Sequence, residues 1–150
     1  MEKEDIKGRL LGLDFGSKTV GVSVSDPLQL TAKSLCTVRR ERENKLRQTL
    51  AEIVRIAQEE EVVKIVVGLP LNMDGTEGER CEKTREVVSL LEKRIDVPVV
   101  FCDERLTTEE AYEIMEEYGV PKEKQLEMVD SVAAMHILQD YLNGKDKICG

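Results

Sequence analysis

Tryptophan is absent from this chain and aromatic residues make up only 3% of it, so a core must be assembled from Val, Leu, Ile and Ala. Histidine occurs once, at His136, which argues against a zinc site and against a Ser-His-Asp apparatus. Cys36, Cys81, Cys102 and Cys149 form no C-x-x-C pair, so they read as free thiols rather than disulfides or metal ligands. No apolar run approaches the roughly 18 residues of a membrane span. The opening Met-Glu-Lys-Glu-Asp is too charged for a secretory signal, so the cytoplasm is the expected compartment, with no membrane partner. Positive charge is also in deficit: 22 Lys and Arg against 30 Asp and Glu leave a net charge of −8. That balance disfavours indiscriminate coating of nucleic acid and leaves room for a local basic patch.

With 150 residues, 41% of them hydrophobic, the chain has enough material for one compact domain over 1–150. Residues 1–7 and 145–150 are expected to be frayed tails. The stretch Arg9–Asp26 alternates apolar and small or polar residues on both sides of Gly-Ser-Lys-Thr, the pattern of a β-hairpin. A third strand is expected over Thr31–Arg39 and a helix from about Glu43, with Leu46, Leu50, Ile53, Val54 and Ala57 on one face. Val62–Gly68 reads as a buried central strand. Pro70–Gly78 follows as a turn-rich loop, longer than the usual roughly two to six residues and a candidate substrate loop. A second helix carries Thr84, Val87, Val88, Leu91 and Ile95, and Pro98–Cys102 is a further strand running into Asp103-Glu104-Arg105. Thr107–Glu110 has capping-box spacing and opens a helix that Gly119 ends. Val120–Gln125 is expected to be a polar, mobile loop and Leu126–Leu142 the last helix. The order β-β-β-α-β-α-β-α-α predicts an α/β fold: a mixed five-stranded sheet, three antiparallel strands then parallel crossovers, flanked by helices.

Acids stand at three places where a solvated charge would not be expected. Asp14 closes the first strand, Asp103 and Glu104 close the last and point to opposite faces, and Asp130 sits among Val129, Val132, Ala133 and Ala134. Ala133 and Ala134 would let that helix approach the sheet closely. Singly, each acid has an ordinary alternative: Asp14 could pair with Lys18, Glu104 with Arg105, and Asp130 could favour a helix N-terminus. Together, crowded carboxylates stay ionised only with a cation, and oxygen ligands of this kind select Mg²⁺ or Mn²⁺. Such an ion suits phosphoryl chemistry. The one basic stretch, residues 33–47, includes Lys33, Arg39, Arg40 and Arg42, and reads either as a solvated junction or as a phosphate-contacting rim.

The blocks LGLDFGSKTVGVSVSD, VVGLPLNMDGTEG, FCDERLTTEEA and VDSVAAMHILQDYL, in that order, resemble the YqgF/RuvX-type proteins. These form a ribonuclease-H-like family of proposed pre-16S rRNA nucleases and Holliday junction resolvases. The resemblance implies a catalytic and metal-holding triad at Asp14, Glu104 and Asp130, and places the Pro70–Gly78 loop and Arg105 near it. Family members often carry Arg in the turn after the first Asp, where this chain has Thr19 beside Lys18. The leading expectation is therefore a Mg²⁺-dependent nuclease processing the 5′ end of pre-16S rRNA. Lys18, Lys33, Arg39, Arg40, Arg42, Arg105, Lys122 and Lys124 are its candidate nucleic-acid contacts, and it would act as a monomer or weak homodimer. Branched DNA is the alternative substrate, and a non-catalytic RNA-binding assembly factor the alternative class. An ATPase reading is weaker, because Gly16-Ser17-Lys18-Thr19 imitates only the tail of a P-loop.

Overall fold

The computed structural model describes residues 7–16, 18–40, 46–70, 74–104, 108–144 and 147–148, with backbone alone at 104, 108, 147 and 148. One sheet organises them, in the order β3-β2-β1-β4-β5-β6. β1 (Leu10–Phe15), β2 (Thr19–Ser25) and β3 (Ala32–Arg39) form the expected antiparallel meander, with a bulge at Val22/Ser23. β4 (Lys64–Pro70) lies parallel to β1, and β5 (Val99–Glu104) parallel to β4. The five expected strands are present. A sixth, β6 (Lys147–Ile148), pairs antiparallel with Phe101 and Cys102, where the sequence suggested only a frayed tail. The physical reason is that β5 would otherwise present an open edge of unpaired backbone groups, and the tail supplies a partner.

Period-two alternation assigns each strand residue to one of two layers. Leu11, Leu13, Phe15, Val20, Val22 and Val24 face α1 (Leu46–Glu59) and α2 (Glu79–Glu92), packing with Leu50, Ile53, Val88 and Leu91. Leu10, Val66 and Cys102 face the other way, onto Ile137 and Leu138 of α4 (Lys122–Leu142). Burying an aliphatic side chain contributes roughly 1.5–3 kcal/mol, and with so few aromatics these two aliphatic layers carry the fold.

α4 begins at Lys122, a full turn before the expected Leu126, and absorbs most of the supposed mobile loop. Pro121 stands at the N-cap, its fixed φ of −59° leading the chain into the helix. Gln125 is buried, its Nε2 donating to Glu116 Oε2 and to the Val120 carbonyl, both at 3.0 Å. Gly119, at φ +75°, ends α3 (Thr108–Glu117) in the left-handed conformation that glycine tolerates. Thus only a short connection separates α3 from α4. The expected start of α1 near Glu43 and the Thr107 cap of α3 lie outside the described residues.

The seating of α4 on the sheet fixes where its Asp130 stands. A Cβ added at Gly21 would overlap the Asp130 carbonyl and lie 3.0 Å from Ser131 N, so helix backbone rests directly on strand backbone there. Beside it, a Cβ at Gly12 would lie 2.9 Å from Leu138 Cβ and 3.1 Å from the Ala134 carbonyl. The buried Ser23 Oγ donates to that same carbonyl at 2.8 Å, which satisfies the hydroxyl between sheet and helix. The close approach is enabled chiefly by glycines on the sheet, in addition to the small residues on the helix.

Candidate active site

Asp14 is the fifth residue of β1, and its cross-strand partner in the ladder is Gly21. Since Gly21 is the residue on which the Asp130 backbone rests, one pairing brings the two acids to the same spot. The electrostatics record that proximity. Burial first, and then the facing Asp130 carboxylate, push the Asp14 carboxyl from 3.8 up to about 6, against the opposing pull of Arg80.

Glu104 is the last residue of β5 and is registered with Pro70 at the end of β4. It continues the Val100–Cys102 row, the same sheet layer as Asp14, whereas Asp103 belongs to the opposite row. The Glu104 side chain itself lies outside the described residues. β1, β4 and β5 are mutually parallel, so Asp14, Pro70 and Glu104 stand together at their carboxyl ends, the edge where α/β sheets place binding sites. Among the described side chains no three metal-binding residues converge; Asp14 and Asp130 do as a pair. That pair fits a hard divalent cation, because its donors are carboxylate oxygens and the Asp14 charge is disfavoured by burial and by Asp130, which a cation would relieve.

The candidate cations divide into groups. Lys18 is exposed in the β1–β2 turn, and its carbonyl accepts from the Arg40 amide at 2.9 Å, tying that turn to the end of β3. Arg39 is exposed on the α4 side, where its Nη2 reaches the Glu127 carbonyl at 3.4 Å. It lines an open groove between β3 and α4 that includes Thr37 and Asp130. Arg40 turns the other way and lines a cavity against α2. Lys33 pairs with Val24, four residues from the Thr37 that flanks Gly21, so it lies about 13 Å along the strand from the acidic pair. Lys122 and Lys124 are exposed on the first turn of α4, about 12 and 9 Å along the axis from Asp130. Arg42 and Arg105 lie outside the described residues, as do residues 71–73 of the candidate loop.

Sequence reasoning missed Arg80 and Lys83. α2 reads as an ordinary amphipathic helix, but its first turns follow directly from the Pro70–Gly78 loop at the carboxyl end of β4. A basic pair just beyond such a loop was the available signal.

The raised Asp14 titration makes stability depend on pH in a definite direction. Below pH 3.8 the group is protonated in both folded and unfolded chains and contributes no difference. As pH rises through 3.8 to about 6 the unfolded chain loses its proton first, so metal-free stability falls, by about 2–3 kcal/mol in full. Asp14→Asn removes this penalty. The variant is expected to unfold at higher urea than the wild type above pH 6.5 in EDTA, and at the same urea below pH 4. Equal midpoints at pH 8 would show that Asp14 is not held under this electrostatic load.

A family model described as "RuvX: Holliday junction resolvase" matches residues 8–144. A protein of Agathobacter rectalis named "Putative pre-16S rRNA nuclease" is 54% identical over 135 residues, 90% of this chain and 94% of that one. One of the same name from Lachnospira eligens is 48% identical over 93% of this chain and 99% of its own. Among solved structures, Thermus thermophilus RuvC in complex with a Holliday junction substrate superposes with a TM-score of 0.56 at 14% identity, covering 92% of this chain and 95% of that one. The architecture is therefore the RuvC-like, ribonuclease-H-like one.

Proposed function

The chain belongs to the RuvX family, and from that membership we propose that it is a metal-dependent nuclease that hydrolyses phosphodiester bonds in the cytoplasm, its substrate the 5′ region of pre-16S rRNA. One observation carries the reading: Gly21 seats the Asp130 backbone against the ladder partner of Asp14, which forces two carboxylates together at the carboxyl edge of the parallel strands. The folded chain tolerates this at a cost in stability, which is characteristic of a site kept for function.

Asp14, Glu104 and Asp130 would hold Mg²⁺ or Mn²⁺, with Asp14 central because it lies on the strand between the other two positions. Such an ion, when bound, lowers the pKa of water and neutralises charge on the phosphate. The chain's own residues supply position. Arg39, standing in the groove that includes Asp130, neutralises backbone phosphates entering the site. Lys18 does the same from the β1–β2 turn, and Lys122 and Lys124 from the first turn of α4. Four such contacts on a single strand predict that log Kobs falls with log salt at a slope of about −3. A titration by fluorescence anisotropy between low and physiological salt checks this, and a flat profile would exclude these cations as the contact set.

The family description favours a second reading, cleavage of four-way DNA junctions, which requires two paired cuts and hence a dimer. A single assay separates the readings: matched pre-16S leader RNA and a four-way DNA junction, each with and without Mg²⁺. Metal-dependent cutting of the leader alone supports the proposal. Symmetric cutting of the junction alone moves the assignment to resolution. Tight binding with no cleavage of either substrate, in Mg²⁺ or Mn²⁺, leaves a non-catalytic assembly factor.

A further inference from the structure

On the far side of β1 from α4 lies a cavity of about 360 Å³ that the triad leaves unexplained. Its wall starts with Phe15 and Gly16, the two residues that follow Asp14, so cavity and acidic pair share the end of one strand. Arg40 closes it from the end of β3, and Arg80 and Lys83 enter from α2. Among the described residues lining it these three cations face a single acid, Glu86, in a chain whose overall charge is −8. Arg80 also acts on Asp14 through its field, so one of the cavity's cations is felt at that carboxylate. Arg85, further along α2, is held by Glu77 at 2.8 Å and stacks on Phe101, and so belongs to the scaffold.

Apart from Thr84, the remaining side chains of the lining are apolar: Leu46 and Val87 stand with Phe15. A volume at the lower end of the usual ligand range, with cations on one side and apolar side chains on the other, matches a phosphate joined to a sugar and base. A duplex is far too broad for it. We propose that this cavity receives one unpaired nucleotide of the substrate strand, adjacent to the scissile phosphate, with Arg40, Arg80 and Lys83 on its phosphate and the apolar wall against its base. The inference rests on the nuclease reading and refines it. A strand crossing from the α4 face must bend over the Gly16 turn to enter the cavity, and it can do so only where it is not base-paired. The enzyme would therefore act at a junction between paired and single-stranded nucleic acid.

The test is binding, read in an Asp14→Asn background so that cleavage cannot interfere. One probe is a labelled RNA duplex with short single-stranded extensions at both ends, and the other is the same duplex with blunt ends. Arg80→Glu with Lys83→Glu is expected to weaken binding of the extended duplex by about 10- to 100-fold and lower its salt slope by about 1 to 2, with the blunt duplex changed less than about 3-fold. Val87→Trp, which fills the cavity without altering charge, is expected to give the same selective loss with the salt slope unchanged. Both proteins are compared by thermal melting to confirm folding. Equal losses on the two duplexes would reduce the cations to a diffuse field and overturn the proposal, as would no loss on either. Because cleavage is not read, the failures separate. A wild-type protein that cuts nothing while the selective loss holds defeats only the nuclease reading; a cutting protein without the selective loss defeats only the subsite.

Discussion

Asp14→Asn is expected to lower Mg²⁺-dependent cleavage by at least about 10³-fold, some 4 kcal/mol of barrier, while leaving nucleic-acid affinity within a few-fold of wild type. The magnitude follows from position. Asp14 lies between Asp130 across the Gly21 contact and the β5 terminus across β4, so removing its charge disconnects the site from both sides. An amide keeps the shape and one oxygen, but not the charge that would hold a divalent ion. Affinity is expected to survive because the proposed backbone contacts, Lys18, Arg39, Lys122 and Lys124, keep their charges.

The same substitution should stabilise the metal-free fold above pH 6.5, because the folded chain no longer carries a charge pushed up by burial and by Asp130. Activity and stability then move in opposite directions from one atom's exchange. A residue holding only the fold would lose both together. Single-turnover cleavage and urea unfolding on the same preparation decide it, and an Asp14→Asn variant cutting at the wild-type rate would end the triad proposal.

Much of this arrangement was legible in the residue pattern because it depends on local periodicity. Alternation through LGLDFG and TVGVSVS sets the hairpin and puts Asp14 on the face opposite Leu11, Leu13 and Phe15, and alternation along the last strand separates Glu104 from Asp103, without reference to the rest of the chain. What could not be read depends on contacts between distant segments. Gly21 looks like a weak point in a β-branched strand until a helix more than a hundred residues on is known to cross it. The first turn of α4 hid behind its polarity: Gln125 reads as a loop residue, but it is buried because Glu116 and Val120 of the preceding segment accept its amide. Arg80 and Lys83 gave only the weak signal of a basic pair after the loop, because helical spacing says which face they share and not that the face opens beside β1. Alternation and capping are properties of a few consecutive residues, whereas a cavity is a property of which elements meet.

Gly21→Ala tests that dependence most directly, since it alters no charge and none of the proposed ligands. The new methyl group would occupy the space of the Asp130 carbonyl, and backbone, unlike a flexible side-chain end, cannot rotate aside. Either α4 lifts from β2 or the sheet bends, and both move Asp130 away from Asp14. Overpacking of this kind costs about 3 kcal/mol, a fall in melting temperature of about 6–12 °C for a chain of this size. The effect on chemistry should be larger than the effect on folding. At a temperature where the variant is still folded, cleavage is expected to drop about 100-fold or more, and stabilisation by added Mg²⁺ to disappear. Gly12→Ala is the control. Its methyl group meets Ser23 Oγ and Leu138 Cβ, deeper along the same helix and away from the Asp130 turn, so it should destabilise comparably with the metal response retained. If Gly21→Ala and Gly12→Ala lose activity only in proportion to their loss of stability, the strand glycine matters for packing alone. If Gly21→Ala loses the metal response while still folded, the absence of one methyl group on β2 is what holds two carboxylates close enough to share an ion.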